Sequence, residues 1–111
     1  MVSEELKAAR DALPEYILCA AYWVNDGIEH VQQPVPTGYV IGGWRHHSIL
    51  EVMAILGIDR KHRRGICSGF ITSRNRYVER EEAMKIAKAV GQFLGHSGSQ
   101  KDAELYSEDI Y

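Results

Sequence analysis

Three adjacent residues, Arg45, His46 and His47, follow a glycine pair and precede an apolar run. A guanidinium binds phosphate through two parallel hydrogen bonds, and an imidazole exchanges a proton near neutral pH. If a helix begins here, its first backbone N–H groups also face outward and can bind an anion. Cations at a helix start oppose the helix dipole by about 0.3–1 kcal/mol each, which a bound phosphate would offset. The plainer alternative is that Arg45 packs outside while the histidines cap the helix or face solvent.

A second polar group lies in residues 69–80, which read GFITSRNRYVER. The small hydrogen-bonding residues and arginines of this stretch are Thr72, Ser73, Arg74, Asn75, Arg76 and Arg80. Phe70 offers a ring that could stack on a nucleobase, worth about 1–3 kcal/mol in comparable sites. One interpretation is a ligand site in which Phe70 faces a base and the polar residues supply hydrogen bonds and positive charge. The alternative is a hairpin turn whose polar groups satisfy their own backbone, with Phe70 in the core.

The charge distribution favours a compact anionic ligand. The 111-residue chain carries a net charge of −2. Residues 45–80 hold eight Lys or Arg against three Asp or Glu, giving +5, and three of the five histidines. The run DRKHRRG at 59–65 is the most basic part and is typical of a solvated loop. A nucleic-acid track usually needs a basic domain overall, so nucleic acid is a poorer fit.

The spacing of chemically active residues favours binding over reaction. The sequence has none of the CxxC, HxxxH or HExxH spacings that bind zinc, and adjacent side chains on a helix point about 100° apart. We therefore predict no metal and no cofactor. No serine or cysteine triad order, paired carboxylates or glycine-rich phosphate loop stands out either. An enzyme that uses His46 or His47 as acid or base near a phosphate stays open as an alternative.

The sequence predicts a cytoplasmic location for this protein. No apolar run approaches the roughly 20 residues of a membrane span, and the charged start does not resemble a signal peptide. Cys19 and Cys67 both lie in apolar stretches. Cytosolic cysteines in such positions usually behave as small buried hydrophobes, so we expect no disulfide.

The apolar pattern predicts a single α+β domain, an antiparallel sheet of four or five strands with two main helices and a short N-terminal helix. We divide it into a helical extension (1–14), a core (15–95) and an acidic tail (96–111). The predicted strands are 15–24, 28–32, 37–44 and 66–73, with a short fifth strand at 74–78. The predicted helices are 3–13, 47–56 and one from about Glu79 that ends at Gly95–Gly98. The 47–56 helix is so apolar that we expect it to be buried on most sides.

Four stretches in order resemble a group of small phage-encoded proteins, the anti-Thoeris sponges. They are YILCAA, TGYVIGGWRHHSI, GFITSRNRYVEREEAMKIA and LYSEDIY, and the resemblance covers about residues 15–111. It implies a protein that sequesters a cyclic ADP-ribose isomer without cleaving it, and for some members a CBASS cyclic oligonucleotide. The resemblance implies that Arg45 binds phosphate and that Phe70 is the aromatic residue of the site. It also implies that Thr72 and Asn75 form the turn that follows this aromatic residue. Trp44 departs from the basic residue expected before that arginine.

The resemblance also implies a homo-oligomer, a dimer or hexamer, with pockets near the subunit interface. The leading hypothesis is therefore a non-enzymatic sponge in the host bacterial cytosol during phage infection, with Arg45, His46 and His47 at the phosphate. In this hypothesis Phe70 stacks on the base, and ribose and phosphate are held by Thr72, Ser73, Asn75 and Arg76. A small phosphodiesterase or nucleotide hydrolase is the second hypothesis. An RNA- or protein-binding phage accessory protein that uses the basic run 60–64 is the third.

Overall fold

A computed structural model describes residues 4–58, 66–95 and 104–110, except for the side chains of residues 6, 7, 10 and 11. The basic run 59–65, predicted as a loop, lies outside the described residues. The elements in chain order are α1 (Glu4–Ala12), β1 (Ile17–Val24), β2 (Tyr39–Gly43), α2 (His46–Ile55), β3 (Ile66–Thr72), β4 (Tyr77–Glu79), α3 (Arg80–Ala89) and a 3₁₀ turn (Ser107–Asp109).

The four strands form one antiparallel sheet in the order β2-β1-β3-β4. The most apolar strands, β1 and β3, take the two inner positions because inner strands are covered most completely. The predicted α+β class with a four-stranded antiparallel sheet and two main helices is confirmed.

The predicted strand at 28–32 is wrong, since that stretch belongs to a loop between β1 and β2. The side-chain oxygens of Asn25 and Asp26 accept hydrogen bonds from the backbone N–H groups of Gly27 and Ile28 at 3.1 and 2.8 Å. These local bonds satisfy backbone groups that a strand would need. Two prolines follow at 34 and 36 and remove two more donors. The strand that pairs with β1 on this side is therefore β2.

Helix α3 also ends earlier than predicted, at Ala89 instead of near Gly95. Gly91 adopts a left-handed φ of +75°, and the backbone N–H of Gln92 donates to the carbonyl of Ala87 at 2.8 Å. This is the bonding by which a glycine closes a helix.

The core lies between one face of the sheet and helices α2 and α3. Ala20, Phe70 and Val78 occupy paired positions on that face and are fully or almost fully buried. The close approach of α2 is set at Gly43, where a Cβ would lie 2.7 Å from Ile49. Leu105, from the segment 104–110, is also completely buried in this core. At least this part of the acidic tail therefore packs on its own domain.

The expectation that α2 is buried on most sides is wrong. Its buried residues are His46, Ile49 and Met53, which form a single stripe. Leu50, Val52, Ile55 and Leu56 are between 45% and 83% exposed. Much of the outer side of the helix is apolar, apart from polar residues such as His47 and Glu51, and the sheet covers only one side of it.

Candidate functional site

Arg45 lies at the point predicted from the sequence, immediately before the first turn of α2. It is the N-cap residue, with extended backbone angles (φ −128°, ψ 152°) and no side-chain capping bond. Its guanidinium carbon lies 4.7 Å from the ring centre of Trp44, which is 65% exposed. One guanidinium nitrogen lies 3.9 Å from a carboxylate oxygen of Glu108, a distance that is long for an ion pair. Arg45 and Trp44 thus present a cation and an aromatic face together.

His46 is placed differently from the prediction, because it points into the protein. Its Nε2–H donates to the carbonyl of Gly69 at 2.8 Å, and Nδ1 faces the hydroxyl of Ser107 at 3.4 Å. The imidazole ring lies nearly perpendicular to the rings of Tyr22 and Phe70, whose centres are 5.4 and 5.0 Å from its own. Burial, and then the charge of Arg80, lower the pKa of His46 to about 4. At neutral pH it is an uncharged imidazole that joins α2 to β3 and the tail.

His47 faces solvent on the outer side of α2. Its Nε2 lies 3.0 Å from a carboxylate oxygen of Glu51, one turn along the same helix. Both side chains are more than 60% exposed, so this pair contributes little to stability. Of the two plain alternatives considered for the histidines, solvent exposure applies to His47 and neither applies to His46.

Phe70 is fully buried at the centre of the sheet. His46 approaches it at nearly a right angle, and the guanidinium of Arg80 lies 6.0 Å from its ring centre. A base could stack on this ring only if the core opened. The structure therefore corrects the expected stacking role, and Phe70 occupies the core position that was the alternative for it.

The polar side chains of the β3–β4 turn are bonded mainly to one another and to Glu15. The hydroxyl of Thr72 donates to Glu15 at 2.6 Å, and the guanidinium of Arg76 donates two bonds to Glu15 at 2.8 and 2.7 Å. Arg76 also reaches Glu82 at 3.1 Å. The bonds from Arg76, assisted by Thr72, lower the pKa of Glu15 to about 2. This group of side chains ties the turn to the entry of β1.

Ser73 and Asn75 complete the turn. The hydroxyl oxygen of Ser73 accepts the backbone N–H of Tyr16 at 3.0 Å, while Asn75 adopts a left-handed φ of 55° and is exposed. Thr72, Ser73 and Arg76, predicted to hold ribose and phosphate, are hydrogen-bonded within the protein in this structure. Asn75 keeps an accessible side chain at the tip of the turn.

Arg80 is the residue that sequence reasoning left out of the site. It begins α3, donates to the hydroxyl of Ser68 at 3.1 Å and to the carbonyl of Leu105 at 2.7 Å, and lies 4.6 Å from the ring centre of Tyr106. Its charge affects the pKa of both His46 and Tyr22. The apolar thread Leu105–Tyr106 in an otherwise acidic tail was the signal that this segment docks.

Arg45, His46, Arg80, Tyr106 and Glu108 therefore form one group at the starts of α2 and α3, which we call the Arg45–Arg80 cluster. Its ionised groups at neutral pH are two guanidinium ions and one half-exposed carboxylate. The β3–β4 turn is a separate group, because Thr72 lies three residues, or about 10 Å, along β3 from Gly69. The structure thus divides the predicted ligand set in two.

The described residues also form two grooves away from these groups. One, of about 540 Å³, is lined by Trp23, Tyr77, Val78, Glu79, Glu81, Glu82 and Lys85. The other, of about 410 Å³, is lined by Leu13, Pro14, Tyr16, Val90 and Gln92. None of the residues predicted from the sequence lines either groove.

Within residues 4–58, 66–95 and 104–110, no three side chains of the kind that bind metals come together. No helix in this part of the chain has the length and apolar character needed to span a membrane.

Residues 16–111 match the family described as Phage T4 y16D protein, so the chain belongs to that family. The matched region includes strands β1 to β4 and helices α2 and α3 of the described residues, and leaves out α1. No curated protein and no solved structure matches this chain. Membership of this family supports the interpretation of the chain as a phage accessory protein. The sequence resemblance also implied a phage-encoded protein.

Proposed function

We propose that this phage protein binds a cyclic nucleotide immune signal, a cyclic ADP-ribose isomer or a cyclic oligonucleotide, and sequesters it without cleaving it. The observation that carries the proposal is the start of α2. Helices α1 and α3 each have two glutamates in their first turn, as the helix dipole favours. Helix α2 has no acidic residue there and has Arg45 at its N-cap instead. An anion at this position could accept hydrogen bonds both from the guanidinium and from the first backbone N–H groups.

The neighbours of Arg45 supply the other chemistry that such a ligand needs. Trp44 presents a largely exposed ring beside the guanidinium, so it replaces Phe70 as the residue that stacks on a base. Arg80 and Tyr106 repeat the same pairing of cation and ring at the start of α3, where the guanidinium also donates to Ser68 and to the carbonyl of Leu105. Two such pairs suit a ligand that has two phosphates and a purine.

The placement of the histidines supports binding without catalysis. A general base must be close to its proton and have a pKa near the working pH. His46 has a pKa of about 4 and has both ring nitrogens near protein partners. His47 sits on the helix surface beside Glu51. A hydrolase that uses His46 would first have to release it from Gly69.

A homo-oligomer in the host cytosol is part of the same proposal. The exposed apolar residues of α2 are a suitable contact surface for a second copy, since Val52 and Ile55 lie on the helix that Arg45 precedes and Leu56 is its C-cap. Exposed apolar patches of this kind often mark protein interfaces. A subunit placed there would exclude water near Arg45 and strengthen its bonds to phosphate.

The test is recovery of the ligand. The purified protein is mixed with cyclic ADP-ribose isomers and with cyclic di- and trinucleotides, free ligand is removed by filtration, and the protein is denatured by heat. Mass spectrometry then identifies what is released. We expect intact ligand from the natural sequence and at least a tenfold weaker affinity for Arg45→Ala. Arg74→Ala is the matched control, because this arginine lies at the far end of β3 and donates to the carbonyl of Leu13.

Each outcome has a defined meaning. An unchanged affinity in Arg45→Ala would remove this site, and hydrolysed product would make the protein an enzyme. If no compound of either kind is retained, the sequestration proposal fails and a macromolecular partner becomes the better hypothesis.

A further inference from the structure

The larger groove combines acidic side chains with two aromatic rings at the β4 edge of the sheet. It is lined by three glutamates and one lysine, giving a local charge of −2. Arg76 lies 2.7 Å from Glu15 and 3.1 Å from Glu82, so it offsets part of the charge of Glu82. Glu79 and Glu81 supply most of the acidity that a ligand meets. The sign is opposite to that of the Arg45–Arg80 cluster, so the two surfaces suit different ligands.

The aromatic wall of this groove is held rigidly. The indole N–H of Trp23 donates to the carbonyl of Thr37 at 2.8 Å, and the hydroxyl of Tyr77 donates to the carbonyl of Cys67 at 3.0 Å. The two rings lie 5.7 Å apart with an angle of 60° between their planes. Because the polar atom of each ring is bonded to backbone, what is left to face the groove is ring carbon, and little side-chain freedom is lost when a ligand binds.

Gly69 explains why the rings can meet. A Cβ at this position would lie 2.7 Å from the end of the Tyr77 ring. The absence of a side chain lets Tyr77 lie across β3 and reach toward Trp23, two strands away. The wall is thus built into the sheet, and the glutamates stand beside it on β4 and the first turns of α3.

We propose that this groove binds an arginine- or lysine-rich segment of a partner protein. A guanidinium or ammonium ion is attracted both to the face of an aromatic ring and to nearby carboxylates. A groove of about 540 Å³ has room for a few side chains. An extended basic segment would place one cation against the rings and the next beside Glu79 and Glu81. This proposal is independent of nucleotide binding, because no residue is shared with the Arg45–Arg80 cluster.

The experiment uses the full chain labelled with ¹⁵N and a ten-residue peptide of alternating arginine and serine. We expect chemical-shift changes at Trp23, at β4 and in the first turns of α3, and none with a peptide of alternating glutamate and serine. Glu79→Gln/Glu81→Gln should weaken binding about tenfold, since each removes a surface charge pair. The matched control is Glu29→Gln/Glu51→Gln, which changes two exposed glutamates elsewhere and should leave the affinity unchanged.

Three outcomes would overturn the proposal. Equal weakening in both double variants would mean that only overall charge matters. Binding of spermine as tight as that of the peptide would make the groove a general polycation site. Self-association of the free protein that disappears in Glu79→Gln/Glu81→Gln would assign the groove to a second copy of this chain. Retention of a nucleotide is unaffected by any of these results.

Discussion

Replacing His46 with glutamine should remove most of the pH dependence of stability between pH 7 and 5. The folded protein holds His46 neutral, with a pKa of about 4 against an ordinary value of 6.5. Between these two values the unfolded chain binds a proton that the folded chain does not. The free energy of unfolding therefore rises with pH, by about 1.4 kcal/mol per unit, through this window. Its contribution is complete above pH 6.5 and is lost as the pH falls toward 4.

The magnitude follows from that slope. Between pH 7 and pH 5, the natural sequence should lose about 2 kcal/mol through this one group. Glutamine is a suitable replacement because its amide can donate to Gly69 and accept from Ser107, but it does not titrate. The variant should thus fold, and its free energy of unfolding should fall much less over the same range.

Urea denaturation followed by circular dichroism at pH 7, 6 and 5 measures this difference. His47→Gln is the control, because His47 is exposed and the same chemical change there should leave the pH dependence as it is in the natural sequence. If natural protein and His46→Gln lose stability in parallel, then His46 is not held neutral by burial, and the packing described around it is incorrect.

Two further predictions concern the segments that close the domain. Glu15→Gln should lower stability at pH 7 by about 1–2 kcal/mol after screening by solvent; since the pKa of Glu15 is lowered to about 2, this contribution is present above pH 4.5 and lost as the pH falls toward 2. The difference between the two proteins in urea titrations should therefore narrow between pH 7 and pH 3 and become small only near pH 2, and a constant difference would contradict the ion pair with Arg76. Leu105→Ala should cost about 2–5 kcal/mol, because the side chain is fully buried and its removal leaves a cavity. Thermal denaturation measures this, and a loss below about 1 kcal/mol would mean that residues 104–110 are not docked on the core.

Strands β1 and β3 could be predicted from their short apolar or alternating runs, but only for β1, apolar on both faces, did the pattern indicate a place in the middle of the sheet. The start of α2 was predicted equally well, from an extended run that gives way to helical spacing at Gly43. The strand at 28–32 could not be judged in the same way, because a few apolar residues suit either a strand or a loop. The bonds of Asn25 and Asp26 to nearby backbone decided in favour of the loop.

The candidate site shows a different limit. Arg45 was predicted from local chemistry, and Trp44 beside it in the chain is one of its contacts, but Glu108 could not be foreseen. Thr72 and Arg76 have equally suitable chemistry, but Glu15, 57 and 61 residues away, binds both. Nothing in the local sequence indicates such a partner. Arg80 was underrated for the same reason, because the carbonyl it binds belongs to Leu105.

The side chain of Gln92 accepts the backbone N–H of Ile17 at 2.7 Å and donates to the carbonyl of Ile17 at 2.9 Å. The amide of Gln92 therefore makes the two backbone hydrogen bonds that a paired residue of a neighbouring strand would make, although it lies 75 residues from Ile17 in the sequence. As the chain emerges from a ribosome, β1 is synthesised early. The amide of Gln92, which hydrogen-bonds the backbone of Ile17 at the start of β1, is synthesised only after α3. Leu105, which fills the core, arrives later still. We therefore expect slow folding for a domain of this size, with the apolar residues of β1 exposed to chaperones until the last third of the domain has been synthesised.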